Sequence, residues 1–516
     1  MNGAESMLET LIANGVEVCF SNPGTSEMHM VAAIGKTQGM RSILSLFEGV
    51  CSGAADGYGR MAGKPACTLL HLGPGLSNAS ANLHNARRAH SPVINLIGDH
   101  ATYHKKYDAP LNSDVIGLSD PISHWVRTVA DAASLPGDAA DAVVAANIKP
   151  GQISTLIVPA DCAWDESVAP AGARQMPVAP KVSDDAVKTA AQMLGNGKST
   201  IVLMSNMALS ETCLELADKI SNSTGARILC DTFTTKLARG EGRCKIERLG
   251  YFAEQVTEQL KDAQQLIMIG TKAPVGFFAY PGKASEFYPS GATLHTLAEF
   301  NEDAGDALQK LVDELDAGKL DARKLLLKKP GLASGALSPE SIGRAFSELM
   351  PTDSIVVDES ATSGGYTSAL SETAEPHDWL SLTGGSIGFG LPTAVGAAVA
   401  CPDRKVICLH GDGGAMYTIQ SLWTMARENL DVCVVIFANR KYQILQVELA
   451  RVGAQSMNKK TLDMLDLSNP DLDFVKISQG MGVKAARATT ADEFNKLFTT
   501  AMNEKGPILI EAMLDR

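Results

Sequence analysis

Two polar residues in the segment 405–442 closely follow apolar runs that have the length of buried strands. Asp412 comes after the run at residues 406–409, and Asn439 comes after the run at residues 432–437. The helical pattern between these runs predicts one strand–helix–strand unit, with both polar residues at the same edge of a parallel sheet. A carboxylate, an amide and a glycine-rich turn can hold a hard cation and the phosphates that it bridges. The alternative interpretation is a tight turn with an N-capping Asp beside an unrelated Asn.

Glu48 is a candidate acid, because it stands between a strand predicted at residues 42–47 and a helix predicted at residues 49–61. A carboxyl group that is partly desolvated at such a junction has a raised pKa and can stay protonated to donate a hydrogen bond. The alternative is an ordinary first-turn glutamate that interacts with the helix dipole.

His71 follows the apolar residues 66–70 and precedes a predicted glycine turn at residues 73–75. This position suits an acid–base group or an anchor for a substrate carboxylate. His100 and His104 follow the next predicted strand in the same way. Any one of them alone is also compatible with a structural histidine, but their placement after successive strands favours a site.

A glycine-rich loop at residues 383–392 runs into a helix predicted at residues 393–400. Its glycines allow close approach of the backbone to a ligand, and Ile387 is a lone bulky apolar residue among them. The alternative is a glycine-rich connection that packs on the sheet.

The elements that must position these residues alternate between short apolar runs and helical stretches along the whole chain. This alternation predicts an α/β protein with three doubly wound parallel-sheet domains. We expect the domains at residues 1–165, 186–328 and 338–516, joined by a Pro- and Ala-rich linker and by a second loop-like segment.

Composition excludes several other classes of protein. The 516 residues are 45% hydrophobic and 20% charged, with a net charge of −13, and no basic run suggests a nucleic-acid partner. The ten cysteines are scattered without a CxxC pair, which favours free thiols in a reducing cytoplasm. No apolar segment approaches the roughly 20 residues of a membrane span, so we expect no membrane partner and a cytoplasmic location.

Together these pieces resemble the thiamine diphosphate (ThDP)-dependent 2-oxo-acid enzymes, in the branch of acetolactate synthase and benzoylformate decarboxylase. The resemblance covers nearly the whole chain. It rests above all on Gly411-Asp412-Gly413 with Asn439 at the family's distance. Further matches are Ser21-Asn22-Pro23-Gly24, Glu48-Gly49 with Ala54, Asp56, Gly57 and Tyr58, Gly73-Pro74-Gly75 with Asn78, and Gly388-Phe389-Gly390-Leu391-Pro392.

The resemblance implies a role for each matching residue. Mg²⁺ would be held by Asp412, Asn439 and the Lys441 carbonyl. The cofactor-binding residues would be Pro23, Glu48, Thr362, Gly385, Ile387, Asp412, Gly413, Gly414, Asn439, Lys441 and Tyr442. Among these, Ile387 would bend the cofactor, the Gly385 carbonyl would receive its amino group, and Glu48 would donate to its pyrimidine nitrogen.

The resemblance also implies a small 2-oxo acid as substrate. Glu48 and His71 would be catalytic, and candidate pocket residues are His71, His104, Leu111, Ala361, Ile444 and Leu445. Glu48 would act on a cofactor held by a second subunit, so a homodimer is the minimum and a homotetramer is expected. We expect FAD to be absent, because the middle domain shows no flavin signature.

The predicted activity is ThDP- and Mg²⁺-dependent non-oxidative decarboxylation and carboligation of a 2-oxo acid, as in acetolactate synthase. Alternatives are simple decarboxylation, as in benzoylformate decarboxylase, a C–C lyase or oxidase reaction, and a non-catalytic ThDP-binding regulatory protein. The sequence departs from the family pattern at Ala438 and Arg440, where Asn and Gly are usual. At residues 277–280 it also lacks a counterpart to the decarboxylase's second catalytic histidine.

Overall fold

The computed structural model describes residues 1–453 and 458–515. The first part of the chain has the strands β1 (Val18–Ser21), β2 (Arg41–Leu44), β3 (Ala66–His71), β4 (Val93–Asp99), β5 (Trp125–Thr128) and β6 (Ile153–Pro159). Its helices are α1 (Gly3–Ala13), α2 (Met28–Lys36), α3 (Glu48–Ala62), α4 (Leu72–Ala89), α5 (Val115–Ser119), α6 (Leu135–Ala146) and α7 (Ala160–Trp164). The strands form a wholly parallel sheet in the order β2-β1-β3-β4-β6-β5.

The middle part has the strands β7 (Thr200–Met204), β8 (Arg227–Cys230), β9 (Leu237–Arg239), β10 (Glu247–Arg248), β11 (Gln265–Ile269) and β12 (Thr293–Ala298). Its helices are α8 (Asp184–Gly195), α9 (Glu211–Thr224), α10 (Ala253–Leu260) and α11 (Ala304–Glu314). Five of these strands form a parallel sheet in the order β10-β8-β7-β11-β12.

The last part has the strands β13 (Ser354–Glu359), β14 (His377–Ser381), β15 (Val406–Gly411), β16 (Val432–Ala438), β17 (Lys484–Ala488) and β18 (Ile508–Met513). Its helices are α12 (Pro339–Leu349), α13 (Gly365–Leu370), α14 (Gly390–Ala400), α15 (Asp412–Ala415), α16 (Ser421–Arg427), α17 (Gln443–Arg451), α18 (Lys459–Asp463), α19 (Phe474–Gly480) and α20 (Ala491–Asn503). The sheet order is β17-β18-β16-β15-β13-β14-β9, and β9 joins it as an antiparallel edge strand from the middle part.

The first and third sheets share one strand order. When β13–β18 are counted from one to six, their order in the third sheet is 5-6-4-3-1-2. Read from the other edge, this is 2-1-3-4-6-5, which is the order of β1–β6 in the first sheet. The central strands β4, β15 and β16 read as near-continuous apolar runs because both of their faces are buried. The two sheets therefore present equivalent carboxyl-terminal edges, from opposite ends of the chain.

Helices α3 and α14 pack the first and third parts of the chain against each other. A Cβ atom on Gly57 would lie 2.2 Å from the Thr393 carbonyl oxygen, so only glycine fits there. A Cβ atom on Gly396 would likewise lie 1.8 Å from the Ala54 carbonyl oxygen. This close helix packing brings the amino-terminal ends of α3 and α14, which carry candidate site residues, into a fixed relation.

A buried ion pair in α3 reinforces the same contact. Arg60 Nη2 lies 2.7 Å from Asp56 Oδ2, and both side chains are fully buried. Arg60 also donates to the Ser381 carbonyl oxygen at the end of β14, at 2.8 Å. Removing either charge would leave the other one buried without an oppositely charged partner, so the pair makes the packing specific.

The expected glycine turn at residues 73–75 is wrong, because these residues form the first turn of α4. Pro74 is compatible with this position, since the first turn of a helix leaves its N–H groups without intrahelical partners. Leu72, the first residue of α4, has a positive φ of 47°. His71 is consequently the last residue of β3 and directly precedes the helix.

The predicted fold class is confirmed: the protein is α/β, with three largely parallel sheets. The three domain ranges stay predictions, and the crossing of β9 into the third sheet shows that the second range contributes a strand outside its own sheet. Among helices in the described residues, none combines the length and apolar character needed to cross a lipid bilayer.

Candidate active site

Asp412 stands where β15 passes into α15, at the edge predicted from the sequence. Because β15 and β16 pair in parallel with Gly411 opposite Phe437, Asp412 and Asn439 follow neighbouring strands at one edge. Asp412 is almost fully buried. Its Oδ1 accepts a hydrogen bond from the Gly413 N–H at 2.8 Å, and its Oδ2 accepts one from the Arg440 N–H at 2.6 Å. Burial raises the pKa of Asp412, and these backbone hydrogen bonds oppose that shift.

Asn439 is joined to Thr362, a predicted cofactor-binding residue, through the side chain of Gln443. The Asn439 Nδ2 donates to Gln443 Oε1 at 3.0 Å, and the Thr362 Oγ1 donates to the same oxygen at 3.4 Å. The Asn439 Oδ1 accepts from the Lys441 N–H at 3.2 Å. Because an amide oxygen has two lone pairs, Oδ1 retains acceptor capacity for a cation. The sequence reasoning did not identify Gln443.

The glycines after Asp412 form a cradle that side chains would fill. A Cβ atom on Gly413 would lie 2.3 Å from Tyr442 Cε1, and one on Gly414 would lie 2.9 Å from Glu359 Oε1. Both positions therefore favour glycine, which leaves space beside the backbone of α15 for an anion. Burial raises the pKa of the Tyr442 phenol, so it is neutral beside this cradle.

The chemistry of the donor set suits Mg²⁺ on a diphosphate. Asp412, the Asn439 amide oxygen and the Lys441 carbonyl would supply half of an octahedral shell, and Mg²⁺ usually takes its other ligands from phosphate and water. In residues 1–453 and 458–515, no group of three or more His, Cys, Asp and Glu side chains could hold a metal ion. The donor set at Asp412 and Asn439 thus suits a cation that takes few of its ligands from protein side chains.

The loop that carries Ile387 is held by a buried carboxylate. Glu359, at the end of β13, accepts hydrogen bonds from the Gly388 N–H and the Gly390 N–H, each at 2.6 Å. Its side chain is 4% exposed, and its Oε2 lies 3.1 Å from His410 Nε2. Burial by itself would lower the pKa of His410, but the charge and hydrogen bonding of Glu359, together with the hydrogen bond to the Gly411 carbonyl oxygen and the charge of Asp358, outweigh it and the pKa is raised. The environment thus favours a positive charge on His410 beside the carboxylate.

Ile387 projects from this loop without being buried by its own chain. Its side chain is 37% exposed, although it lies among glycines on a tightly held segment. Gly388 has a φ of +91°, and a Cβ atom there would lie 2.5 Å from Tyr417 Cβ, so glycine is required. Gly385 has a φ of +74° and open space around it. An exposed apolar residue on a rigid loop is what the predicted cofactor contact needs.

Glu48 is the first residue of α3, and it is 9% exposed. Asn78 Nδ2 donates to Glu48 Oε2 at 2.9 Å. Within the described residues, no donor is bonded to Oε1, so this oxygen is free to bind another group. The observed β2 ends at Leu44, so three residues separate the strand from Glu48.

His71 is held by a carboxylate that the sequence reasoning missed. Its Nδ1 lies 3.0 Å from Glu27 Oε2, 3.2 Å from Glu27 Oε1 and 3.0 Å from Ser26 Oγ. Glu27 is fully buried and also accepts from the Gly24 N–H at 2.6 Å. This bonding assigns the proton to Nδ1 and leaves Nε2 as the reactive nitrogen. The His71 ring packs on Gly24, the residue after Pro23. A Cβ atom on Gly24 would lie 2.3 Å from His71 Cγ.

Glu48 and His71 lie on either side of one glycine. A Cβ atom on Gly75 would be 3.5 Å from both Glu48 Oε1 and His71 Cβ. The neighbouring helix residue Asn82 donates to the Gly49 carbonyl oxygen at 2.9 Å and to the Gly388 carbonyl oxygen at 3.3 Å. Glu48 and His71 thus lie close together. Helix α4, which carries Asn82, is hydrogen-bonded to the loop of Ile387.

The remaining candidate residues are more dispersed. His104 is exposed, with its ring centroid 5.5 Å from that of His100, and Leu111 is exposed beyond it. In the described residues, neither a hydrogen bond nor a ring contact joins either one to His71. Ala361 has a φ of +48° and precedes Thr362, while Ile444 and Leu445 lie on α17. These assignments to a substrate pocket stay predictions.

The segment at residues 277–280 packs beside α17. Tyr280 donates its hydroxyl hydrogen bond to Glu448 Oε2 on α17 at 2.7 Å. Burial and that hydrogen bond raise the pKa of Tyr280 to about 12. Phe277 and Phe278 are exposed beside it. The segment thus places aromatic side chains next to α17, the helix of Ile444.

Two family descriptions match the chain. Residues 1–120 match "Thiamine pyrophosphate enzyme, N-terminal TPP binding domain", and residues 362–512 match "Thiamine pyrophosphate enzyme, C-terminal TPP binding domain". The two matched regions contain Glu48 and His71 in the first case and Asp412 and Asn439 in the second.

Relatives match over the full length of the chain. A Mycobacterium tuberculosis protein named "Putative acetolactate synthase large subunit IlvX" is 50% identical and is covered to 99%, with 100% of this chain aligned. Benzoylformate decarboxylase of Pseudomonas aeruginosa is 29% identical, over 98% of this chain and 97% of its own. The solved structure of the ThDP-dependent 4-hydroxybenzoylformate decarboxylase of Rhodococcus jostii RHA1 has a TM-score of 0.87 at 23% identity. That match covers 100% of this chain and 99% of the other, and it supports the fold.

Proposed function

The chain belongs to the family of thiamine pyrophosphate-dependent enzymes, and on that premise we propose that it catalyses Mg²⁺-dependent, non-oxidative decarboxylation of a 2-oxo acid. The observation that carries the proposal is the pair of His71 and Glu27. It provides an acid–base group of fixed orientation, beside the Pro23-Gly24 turn and close to Glu48.

ThDP, when bound, supplies a nucleophilic carbon and an electron sink for the loss of CO₂. Asp412, Asn439 and the Lys441 carbonyl would bind Mg²⁺, and the glycine turn at Gly413 and Gly414 would accommodate the phosphates. The buried position of Asp412 supports this role, because a neighbouring cation compensates the cost of burying its charge.

Glu48 would hold a proton at Oε1 for the pyrimidine ring of the bound cofactor. Asn78 fixes the other carboxyl oxygen, so the side chain keeps one orientation. Because Glu27 binds the N–H at Nδ1, Nε2 is the ring nitrogen of His71 that is left for the substrate, and it carries a proton when the ring is doubly protonated. Delivery of that proton from Nε2 after CO₂ has left would give an aldehyde product.

Carboligation is a second candidate for the fate of the substrate after CO₂ loss. It is supported by the 50% identical relative that is named as an acetolactate synthase large subunit. In this case the carbon that has lost CO₂ would form a bond to a second carbonyl compound instead of being protonated. The pocket walls would be Leu111, Ala361, Ile444 and Leu445.

A panel of pyruvate, 2-oxobutyrate and benzoylformate, with ThDP and Mg²⁺, tests the proposal by release of CO₂. We expect CO₂ from at least one substrate, and analysis of the organic product separates an aldehyde from an acyloin or acetolactate. His71→Gln should lower the rate, whereas Glu314→Gln on the exposed face of α11 should not change it. If ThDP binds but no substrate releases CO₂, the chain is a ThDP-binding protein without this activity.

We also propose an obligate homodimer, assembled further into a homotetramer, in which Glu48 acts on the cofactor of the partner subunit. Co-expression of Glu48→Gln and Asp412→Ala chains tests the shared site. Random pairing of two inactive chains would then restore about a quarter of the wild-type sites, because one site in each mixed dimer is intact. No recovery above either single variant would refute a shared site.

A further inference from the structure

A cavity of about 400 Å³ lies between β9, β10, α13 and β14, apart from the candidate active site. Its charged lining residues are Arg239, Lys245, Glu247, Arg248 and Glu372. None of the residues assigned to the cofactor or the substrate lines this cavity. Its volume is within the range of small-molecule sites in proteins.

Two arginine side chains converge in this cavity. Arg239 Nη2 donates to the Ser368 carbonyl oxygen at 2.6 Å, and Arg248 Nη2 donates to the Ser368 Oγ at 3.3 Å. The Arg239 guanidinium also lies over the Trp379 ring, 4.7 Å from its centroid. The two guanidinium groups therefore reach the same residue of α13 from two different strands.

The positive charges of these arginines are not balanced by the acidic residues nearby. Glu247 lies 2.6 Å from Arg227, and Glu372 lies 3.0 Å from Lys245. Within the described chain, neither Arg239 nor Arg248 has a carboxylate within ion-pair distance. Two neighbouring guanidinium groups without such a partner repel each other.

Desolvation adds to this cost. Burial lowers the pKa of Arg239 to about 10, and the neighbouring charge of Arg248 acts in the same direction. The indole Nε1 of Trp379, which also lines the cavity, is buried without a hydrogen-bond partner in the described residues. The cavity thus contains two arginines without a carboxylate at ion-pair distance and an indole N–H without an acceptor, while the glutamates of its lining, Glu247 and Glu372, pair with Arg227 and Lys245.

We propose that this cavity binds a small molecule that carries a phosphate group. A phosphate monoester has a charge of roughly −1.5 to −2 at neutral pH, so one group neutralises both arginines, whereas a carboxylate neutralises only one. Guanidinium groups match the geometry of phosphate oxygens through paired N–H donors. The apolar walls formed by Leu237, Ile246 and Leu325 accommodate the organic part of the molecule.

Calorimetric titration at constant ionic strength tests this site, with inorganic phosphate and a nucleoside monophosphate as probes. The protein is saturated with ThDP and Mg²⁺ so that the edge at Asp412 does not compete. We expect saturable binding, at least about tenfold weaker in Arg248→Gln, since a tenfold change in affinity corresponds to about 1.4 kcal/mol. Tighter binding of the nucleotide identifies an organic phosphate as the ligand, and equal binding identifies free phosphate.

Arg174→Gln is the matched control, because it removes the same charge as Arg248→Gln but at an exposed position between α7 and α8. Its affinity for both probes should equal that of the wild type. Arg239→Lys keeps the charge but removes the paired donors, and it should also weaken binding. Absence of saturable binding to the wild type, or equal affinities in Arg248→Gln and Arg174→Gln, overturns the proposal. This comparison between variants is valid whether or not the cofactor binds.

Discussion

Replacing Glu359 by glutamine should loosen the loop that carries Ile387. The carboxylate accepts two hydrogen bonds of 2.6 Å from Gly388 and Gly390, and it balances the charge of His410. Glutamine keeps one oxygen acceptor but places an NH₂ group against the second backbone donor. Since a hydrogen bond to a charged group contributes about 1.5–3 kcal/mol, and one N–H is left without a partner, we expect a cost of about 2–4 kcal/mol.

Amide hydrogen exchange measures this cost at the loop itself. A local loss of about 2–4 kcal/mol corresponds to exchange about 30 to 1000 times faster at Gly388 and Gly390. The denaturation midpoint should fall as well. Glu314→Gln, the same chemical change on an exposed helix face, should alter neither quantity. If Glu359→Gln exchanges at the wild-type rate with an unchanged midpoint, the carboxylate does not hold the loop.

Three further variants test other parts of the structure. Arg60→Ala should destabilise the protein by about 3–5 kcal/mol in urea unfolding, because Asp56 is left buried and unpaired; a change under about 1 kcal/mol would contradict this. Burial lowers the pKa of His377 to about 3 in the folded protein, whereas the same imidazole in the unfolded chain has a pKa of about 6.5. As the pH falls below about 6.5, the unfolded chain therefore binds a proton that the folded protein does not bind, and the folded protein loses stability. Between pH 7.5 and pH 5 the wild type should therefore lose about 2 kcal/mol more than His377→Gln, and equal losses would refute this. Asp412→Ala should abolish the Mg²⁺ dependence of ThDP retention in equilibrium dialysis, and unchanged retention would remove Asp412 from the metal site.

The sequence was informative where local pattern and burial agree. The strands β15 and β16 are buried on both faces, so they are visible as apolar runs, and the polar residues after them mark the sheet edge. The strand β17 was not predicted, because it lies at a sheet edge and mixes apolar and charged residues. The two-residue strand β10 was missed because so short a segment has no periodicity.

The residues that support the site could not be identified from local sequence. Glu359 and Glu27 resemble ordinary surface charges after a strand or a turn. Glu359 is fixed by backbone groups 29 and 31 positions further along the chain, and Glu27 by an imidazole 44 positions away. Only the fold brings these partners together. A weak signal was present in Glu27, an acidic residue that shortly follows the Asn-Pro-Gly turn.

The most direct test of the central claim is hydrogen–deuterium exchange at the thiazolium carbon of bound ThDP. If Glu48 exchanges a proton with the cofactor, Glu48→Gln should retain ThDP but slow this exchange by about 10²–10⁴-fold relative to the wild type. Glu9→Gln, at an exposed position of α1, should exchange at the wild-type rate. Exchange in Glu48→Gln at the wild-type rate, with the cofactor bound, would contradict the assignment of Glu48 and the mechanism that depends on it.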